Sequence, residues 1–487
     1  MILEQLPALQ IVAPLLAAPA CLILRARRLC WALCIAVSWL TFGLAVAMLV
    51  RVQSHGTLSY ALGGWEPPWG IEYRVDLLNA FMLLFVSAIG AVVLSYAPAS
   101  VAREVRGDRH YLFLGAYMLS LTGLLGICIT GDLFNVFVFL EISSLSAYGL
   151  IALGRDRRAL TASLRYLVMG TIGATFILIG VGLLYMMTGT LNMADMAVRI
   201  EPVIGTRTVL VAFAFFSVGV GLKMALFPLH LWLPDAYTYA PSVVSAFLAG
   251  TATKVSVYIL IRFSFTVFDR VPPADVLMAL ALAAVLIPSA VAVFQTDVKR
   301  MLAYSSLGQI GYMVLGISFA TVHGLTGGIV HMFNHSLIKT TMFLAVGCMV
   351  LRVGSSELKE LAGIGRRMPW TTAAWTLGGL GLIGVPMTAG FVSKWFLVAA
   401  ALESGHWAVA VLLLLSSLIA VVYVWRFVEL AYFREPTAAC EGVEEAPWPM
   451  LAATWALGLA TLFFGMNTTW SAGLARRAAE ALLGAVS

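Results

Sequence analysis

The chain has 487 residues, of which 61% are hydrophobic and only 11% are charged. This apolar share and the mean hydropathy of +0.94 exclude an ordinary soluble domain and predict a multi-pass membrane protein. The net charge of +6 reflects basic residues in the connections between apolar runs, so it does not indicate a nucleic-acid partner.

Long apolar runs follow one another along the chain. Each is about 20 residues long, the length that a helix needs to cross the hydrocarbon core. We count fourteen such runs and number the helices that they predict as spans 1 to 14. The fold class is therefore predicted to be all-α and polytopic, without a soluble catalytic domain. The spans begin near Leu6, Leu29, Leu77, Tyr111, Leu133, Thr161, Thr208, Ala240, Ala274, Met301, Leu325, Thr371, His406 and Pro449.

Basic residues are divided unequally between alternate connections, with sixteen in one set and seven in the other set and the tails. Because basic residues are retained on the cytoplasmic side, both termini are predicted to lie outside. The first span lacks a basic leader and an A-x-A cleavage site, so it is predicted to be a retained helix. The richer set comprises Arg25, Arg27, Arg28, Arg103, Arg106, Arg109, Arg155, Arg157, Arg158, Lys299, Arg300, Arg352, Lys359, Arg366, Arg367 and Arg434, and the poorer set Arg51, Arg74, Arg199, Arg207, Arg270, Arg476 and Arg477.

Five spans carry an ionisable side chain inside the apolar run. A bare charge at the bilayer centre costs roughly 2.5 to 3.5 kcal/mol on insertion scales, so such residues indicate functional sites. The lysine in span 8 lies about 12 to 14 residues, or roughly 20 Å, from either end of its run, too far for its stem to reach the headgroups. For the other three lysines, reaching the headgroups is the alternative. The five residues are Glu141, Lys223, Lys254, Lys339 and Lys394 in spans 5, 7, 8, 11 and 12.

Glu141 is predicted to pair with a base on another span, because a carboxylate in hydrocarbon is otherwise protonated or paired. Lys223 is the candidate partner. Burial penalises an ammonium and a neighbouring carboxylate favours it, so movement of Glu141 would change how tightly Lys223 holds its proton. That change could pass to Lys254 by repulsion between like charges. The pattern indicates proton transfer controlled by a conformational event.

Span 11 carries His331, His335 and Lys339 at intervals of four residues, which places them on one helical face beside Asn334. An imidazole accepts a proton on one nitrogen and donates from the other, so such a row suits proton transfer. A zinc site is disfavoured because no Glu intervenes and Lys339 would oppose a cation. Histidines that serve only packing are the remaining alternative.

No metal or cofactor is predicted. The six cysteines form no C-x-x-C pair, which disfavours an iron–sulfur or zinc centre. Glycine-rich pieces such as 378–384 lie in an apolar run without a preceding strand, so no nucleotide fingerprint is present.

Two spans are predicted to be broken, the seventh at Pro228 and Pro234 and the twelfth at Pro386 and Gly390. In lipid, such breaks survive where protein or water satisfies the freed backbone groups, and they indicate a transport site. Their separation by five spans suggests two five-helix repeats, spans 4 to 8 and 9 to 13. The predicted regions are 1–109 with three helices, 110–270 and 271–434 with the repeats, and 435–487 with a loop and the fourteenth helix.

Four strings carry a resemblance that extends from about Leu77 to Tyr432. They are similar to the antiporter-like subunits of respiratory complex I, membrane-bound hydrogenases and Mrp-type multisubunit Na+/H+ antiporters. The resemblance implies fourteen helices with two inverted repeats. It also implies proton transfer through Glu141 with Lys223, then Lys254, then His331, His335 and Lys339, and finally Lys394. The strings are GDLFNVFVFLE, GLKMALFPLHLWLPDAYTYAPSVVSAFLAG, TDVKRMLAYSSLGQIGYM and GFVSKW.

Two differences from known subunit types narrow the choice of subunit type within this family. M-like complex I subunits have Glu where this chain has Lys394, and L-like subunits carry a long extension after the last span, which this chain lacks. The chain most resembles the D-type subunits of the Mrp antiporters and their hydrogenase-linked relatives, with an N-like complex I subunit as the alternative. The implied partners are other membrane subunits in a bacterial or archaeal cytoplasmic membrane, with protons as cargo and Na+ left open. Energy would come from an ion gradient or a partner's redox step.

Two other functions stay open from the residues alone. One is a redox subunit that binds quinone itself, which would need a site among the Trp, Tyr and His residues. The other is a scaffold whose buried charges only lock helices together.

Overall fold

The computed structural model describes residues 4–268 and 274–484 and is almost entirely helical. Within these residues, twelve helical segments are long and apolar enough to cross a membrane. The helices that correspond to them are α1 (Leu6–Leu24), α2 (Arg27–His55), α3 (Leu77–Glu104), α4 (His110–Ile129), α5 (Leu133–Ala152), α6 (Arg158–Thr188), α8 (Arg207–Met224), α10 (Ser242–Gly250) continued by α11 (Ala252–Arg262), α12 (Ala274–Val293), α14 (Val322–Val353), α18 (Trp407–Phe433) and α19 (Trp448–Met466).

The two remaining predicted spans also form helices. Span 10 is α13 (Val298–Ser318), which is long enough but less apolar because it carries Lys299, Arg300 and several polar side chains. Span 12 is divided into α16 (Pro369–Ile383) and α17 (Ala389–Glu403), each of 15 residues and so too short to cross alone. Arg270 and the predicted boundary between residues 270 and 271 lie outside the described residues. The short helices are α7 (Met193–Ile200), α9 (Trp232–Tyr239) and α15 (Ile364–Arg367).

The predicted break in span 7 is present between Met224, where α8 ends, and Trp232, where α9 begins. Pro228 lies in this break, as predicted. The prediction that span 7 is also broken at Pro234 is wrong, because Pro234 lies in the first turn of α9. A proline is tolerated there, since the N–H that it lacks would have no partner within the helix.

Span 12 is interrupted between Ile383 and Ala389, and Pro386 lies in the interruption as predicted. Gly390 does not lie in the break; it is in the first turn of α17. A Cβ at Gly390 would come within 1.8 Å of the Gly381 carbonyl oxygen. The glycine is therefore needed for the close approach of α16 and α17.

Span 8 contains a break that the sequence did not predict. Thr251 separates α10 from α11 and has a non-helical backbone, with φ −126° and ψ −63°. No proline marks this position. The centre of span 8 therefore exposes carbonyl groups at the end of α10 that would otherwise bond within a helix.

Two further elements lie outside the spans. A hairpin pairs β1 (Leu58–Ala61) with β2 (Glu72–Val75) between α2 and α3. Helix α20 (Thr468–Leu482) follows α19, and it packs against α14 and α3. It was not predicted because its apolar residues occupy only one face, which carries Leu474, Ala475 and Ala478.

Helix α14 forms the centre of the molecule. Every residue from Gly324 to Met349 is buried, and the helix packs against α3, α10, α13, α16, α17, α19 and α20. A helix that is buried on all sides keeps any polar side chain away from lipid. Span 11 is therefore the element on which an internal polar site can be built.

The ends of the bundle differ in character. We call one the hairpin end, because β1 and β2 lie there, and the other the basic end. At the basic end, a cleft of about 510 Å³ is lined by Arg103, Arg155, Arg158, Lys299 and Arg300 together with acidic side chains. All five basic residues belong to the set that the sequence assigned to one side of the membrane.

The two predicted repeats share a local motif. Asp132 caps the start of α5 and forms a β-bridge with Asn192, while Asp297 caps the start of α13 and bridges Glu357. Each bridge partner follows the next span along the chain. Spans 5 and 10 are five positions apart in the order of spans, so they run in opposite directions. The two repeats and their inverted relationship stay a prediction.

Candidate functional site

The predicted pairing of Glu141 with Lys223 is present in the structure. Lys223 Nζ lies 3.0 Å from Glu141 Oε1 and donates a second hydrogen bond of 2.9 Å to Ser144 Oγ. Glu141 and Ser144 lie one turn apart on α5, so both face α8. The lysine side chain is 3% exposed and the glutamate side chain is 21% exposed. The pair is therefore buried at its cationic end and accessible at its anionic end.

Lys254 is fully buried in the first turn of α11, next to the unpredicted break. Its ammonium donates to the carbonyl of Ala249 in the last turn of α10, and Thr253 Oγ1 lies 3.5 Å away. No carboxylate of the described residues pairs with it. The carbonyl end of a half-helix carries partial negative charge, so it can hold an ammonium without an acidic partner.

The row on α14 has the predicted arrangement. The rings of His331 and His335 are stacked with their centroids 5.8 Å apart and their planes at 5°. Lys339, one turn further along, donates to the Leu302 carbonyl at 3.0 Å. All three are buried, and the Asn334 amide beside them donates to the Ala389 carbonyl at the start of α17. The row thus connects the centre of the bundle to the broken span 12.

His331 is hydrogen-bonded to Ser393, the residue that precedes Lys394 in the chain. His331 Nδ1 lies within hydrogen-bond distance of Ser393 Oγ, at 2.8 Å, and Lys394 follows directly in α17. Lys394 Nζ donates to the carbonyls of Leu382 and Ile383 at the end of α16 and to Ser417 Oγ in α18, each at 2.9 Å. The broken span therefore supplies the acceptors that hold this lysine.

Two of the lysines share one mode of support. Lys254 binds the carbonyl end of α10 and Lys394 that of α16, whereas Lys223 lies in the last turn of α8 and is held by side chains of α5. Each site lies where a span is interrupted near its middle. The negative end of a half-helix stabilises an ammonium there. The proline and glycine pattern located two of these three interruptions.

Several buried polar atoms along this series have no protein partner among the described residues. They include both ring nitrogens of His335, Nε2 of His331 and Oδ1 of Asn334. Buried polar groups in proteins nearly always have a hydrogen-bond partner, and internal water commonly supplies it. The site therefore suits water between its side chains.

The sequence did not single out the hydroxyl groups that connect these residues. Ser144, Ser393 and Ser417 each contact a site residue, and Lys394 lies 5.0 Å from the centre of the Tyr312 ring. Isolated serines are common in apolar helices, so only their tertiary positions identify them. No cluster of His, Cys, Asp or Glu suited to a metal ion occurs within 4–268 and 274–484.

Comparisons with known proteins give a consistent assignment. Residues 130–420 match the family described as "NADH:quinone oxidoreductase/Mrp antiporter, TM". The chain is 42% identical over 439 residues to the N subunit of the NADH-quinone oxidoreductase of Desulforudis audaxviator, which covers 87% of each chain. It is 32% identical over 393 residues to the D subunit of the Na(+)/H(+) antiporter of Alkalihalophilus pseudofirmus, covering 80% of this chain and 79% of the relative.

Solved structures have the same fold. A chain of the Mrp complex from Dietzia sp. superimposes with a TM-score of 0.93 at 26% identity, covering 100% of this chain and 98% of the other. A chain of the archaeal membrane-bound sulfane sulfur reductase gives a TM-score of 0.90 at 31% identity, with 98% of both chains covered. These matches confirm the resemblance stated from the sequence. The chain belongs to the family of transmembrane subunits that NADH:quinone oxidoreductases share with Mrp antiporters.

Proposed function

We propose that this chain is a proton-translocating subunit of a multisubunit cation/proton antiporter, of the Mrp D type. Protons would move through Glu141 and Lys223, then Lys254, then the row of Lys339, His335 and His331, and finally Lys394. The observation that carries this proposal is one buried series of titratable side chains from α5 to α17, held by half-helix ends and hydroxyl groups.

The chemistry of the series suits a proton better than a metal cation. Apart from Glu141, its members are amines and imidazoles, which exchange protons, and a protonated amine repels a metal cation. The Glu141 carboxylate can favour or release the proton of Lys223 by moving a short distance. Nothing in the described residues supplies energy by chemistry, so a gradient or a partner's reaction would drive the transfer.

Partner subunits are part of this proposal. Glu141 lies near the middle of α5, and its side chain is a fifth exposed in the isolated chain, where a lipid contact would disfavour the carboxylate. A neighbouring membrane subunit that covers this face of α5 would remove that contact. The structures of similar fold come from multisubunit membrane complexes, which supports the same arrangement here.

An N-like subunit of an NADH-quinone oxidoreductase is the second candidate. The 42% identity to a protein of that name favours it, compared with 32% to the antiporter protein from Alkalihalophilus pseudofirmus. A hydrogenase-type assembly belongs to the same alternative. Purification of the intact complex, followed by mass spectrometry of its subunits, distinguishes them. Small antiporter subunits support the first proposal, and nucleotide-binding or iron–sulfur subunits support the second.

We also propose the orientation with both termini outside, in a bacterial or archaeal cytoplasmic membrane. The five basic residues around the cleft of the basic end support this orientation, because basic residues are retained in the cytoplasm. The hairpin end would then face outside. Cysteines introduced at Ser355 and at Ser54 should react with an impermeant maleimide from the inside and outside respectively, and the reverse pattern would contradict the orientation.

The function is tested with Lys223→Ala in the reconstituted complex. We expect coupled proton transport to be lost while assembly survives, because the variant removes the titratable partner of Glu141. Lys359→Ala is the matched control, since Lys359 is exposed in a connection. Normal transport by the Lys223 variant would refute the proposal.

The scaffold alternative predicts a different result for Lys254→Ala. If the buried charges only lock helices together, this variant should lower assembly or thermal stability without a separate transport defect. Under the proposal, the fraction that assembles should still lack transport. A direct quinone site would instead be indicated by reduction of quinone by the isolated chain.

A further inference from the structure

The face of α11 that carries Lys254 continues toward the hairpin end with Tyr258 and Arg262. The three residues recur at intervals of four, so they lie on one helical face. Lys254 is 0%, Tyr258 2% and Arg262 8% exposed. Arg262 is about 12 Å from Lys254 along the helix axis, at 1.5 Å per residue. A buried polar stripe therefore leads from the central lysine to one end of the bundle.

Arg262 closes this stripe with a network of hydrogen bonds. Its guanidinium donates to Asp76 and to the Asn79 side chain at the start of α3, and its Nε donates to Tyr258 Oη at 3.2 Å. Asn79 also donates to Tyr258 Oη at 2.8 Å and to the Cys128 carbonyl at 2.7 Å. The network ties α11, α3 and α4 together, and each of its side chains has a partner.

Asp76 faces solvent on its other side. It lines a cleft of about 230 Å³ at the hairpin end, together with Gln53, Thr57 and Arg477 of α20. The Asp76 side chain is 29% exposed, whereas the Arg262 side chain is 10% exposed. Burial opposes ionisation of Asp76, but Arg262 and the backbone amides of Asn79 and Leu78 hold the pKa of the carboxyl below its ordinary value. The ion pair thus separates an open cleft from the buried stripe.

We propose that Arg262 and Asp76 form a gate that closes the hairpin end of the Lys254 stripe to protons and water. The fixed positive charge of Arg262 opposes the passage of a cation, and its hydrogen bonds keep the stripe packed. Opening would require Arg262 to leave Asp76, and would connect Lys254 to the cleft under α20. Arg262 is a positioning and gating residue here, because it does not itself release a proton.

This inference rests on the proposed function, since a gate has meaning only if Lys254 carries protons. The test therefore measures how readily a reagent reaches the stripe from the hairpin side, and it does not measure proton transport. Cys128 is a natural reporter, because its carbonyl belongs to the network and its side chain is 0% exposed. The complex is treated from the hairpin side with an impermeant methanethiosulfonate reagent, and labelling of Cys128 is quantified by peptide mass spectrometry. Cys348 is the internal control, because it is buried in α14 near the basic end.

The Asp76→Asn/Arg262→Gln double variant should raise the labelling rate of Cys128 about tenfold, which corresponds to about 1.4 kcal/mol of lost closure. Asp76→Asn alone should raise it less, and asparagine still caps α3, so this variant keeps the local fold. The matched control is Asp195→Asn/Arg199→Gln, which removes an exposed Asp–Arg pair in α7 at the same end. That control should leave the rate unchanged.

The double variant should also make liposomes passively permeable to protons. Adding Lys223→Ala should leave the increase in Cys128 labelling intact, so failure of the proposed transport function is distinguished from failure of the gate. Labelling of Cys128 that stays at the wild-type rate in an assembled double variant would overturn the gate. Equal increases at Cys128 and Cys348 would also overturn it, because they indicate general loosening.

Discussion

Lys223 and Glu141 form a 3.0 Å ion pair whose two members differ in exposure, the lysine being sealed inside and the glutamate reaching the surface of α5. This asymmetry makes the glutamate the member that a neighbouring subunit can move. The lysine responds, because its ammonium is stabilised by that carboxylate and by one serine hydroxyl.

Removal of both charges should separate the structural role of this pair from its transport role. Breaking a buried ion pair by removing one partner costs about 3 to 5 kcal/mol, whereas removing both is often neutral. We expect Lys223→Met to lower the Tm of the purified complex and Glu141→Gln/Lys223→Met to recover most of the loss. Neither variant should acidify vesicles. Transport restored in the double variant would mean that the pair only locks α5 to α8.

Lys394 and Ser417 allow a similar comparison at the other end of the series. Lys394→Met removes the titratable amine and should reduce proton uptake into vesicles to background. Ser417→Ala removes one of three hydrogen bonds to the amine and leaves both carbonyls, so it should cost only about 0.5 to 1.5 kcal/mol. Measurable transport should remain in the serine variant. An equal loss of transport in both variants would indicate that Lys394 acts by holding the local structure and not by exchanging a proton.

Gly390→Ala tests the close contact between the halves of span 12. The added Cβ would lie 1.8 Å from the Gly381 carbonyl, so α16 and α17 must move apart. Overpacking of this kind typically costs about 1 to 3 kcal/mol, and we expect a lower Tm with impaired transport. Gly473→Ala in α20 is the control, because nothing lies within 4 Å of a Cβ there. Wild-type stability of the Gly390 variant would contradict this account of the break.

His335→Ala should slow proton transport without abolishing assembly, because the proposed route places His335 between Lys254 and His331 and its ring has no protein hydrogen bond of its own among the described residues. The transport rate at a fixed gradient is the measurement. His323→Ala removes an exposed histidine of the same helix whose Nδ1 lies 2.8 Å from Glu403 Oε2, and this variant should transport normally. Equal rates in the His335 variant and the wild type would remove His335 from the route.

Only part of the site could be predicted from the sequence, because each rule that applies to a sequence is local. An ionisable residue within an apolar run is visible from hydropathy, and a proline breaks a helix wherever it lies in the interior. The break at Thr251 has no such residue, so no local rule locates it. Pro234 was misjudged since its effect depends on whether it begins or ends a helix, which the sequence leaves undetermined.

The sequence by itself determined that the chain crosses the membrane many times, which residues carry charge inside the spans, and where two of the spans break. The tertiary structure decided which acceptors hold each lysine, that Ser393 bonds His331 and Ser417 accepts from Lys394, and that Arg262 meets Asp76 across 186 positions. The physical reason is that the cost of a charge in lipid depends on the local sequence around it, whereas a hydrogen bond depends on the position and direction of two groups that packing brings together.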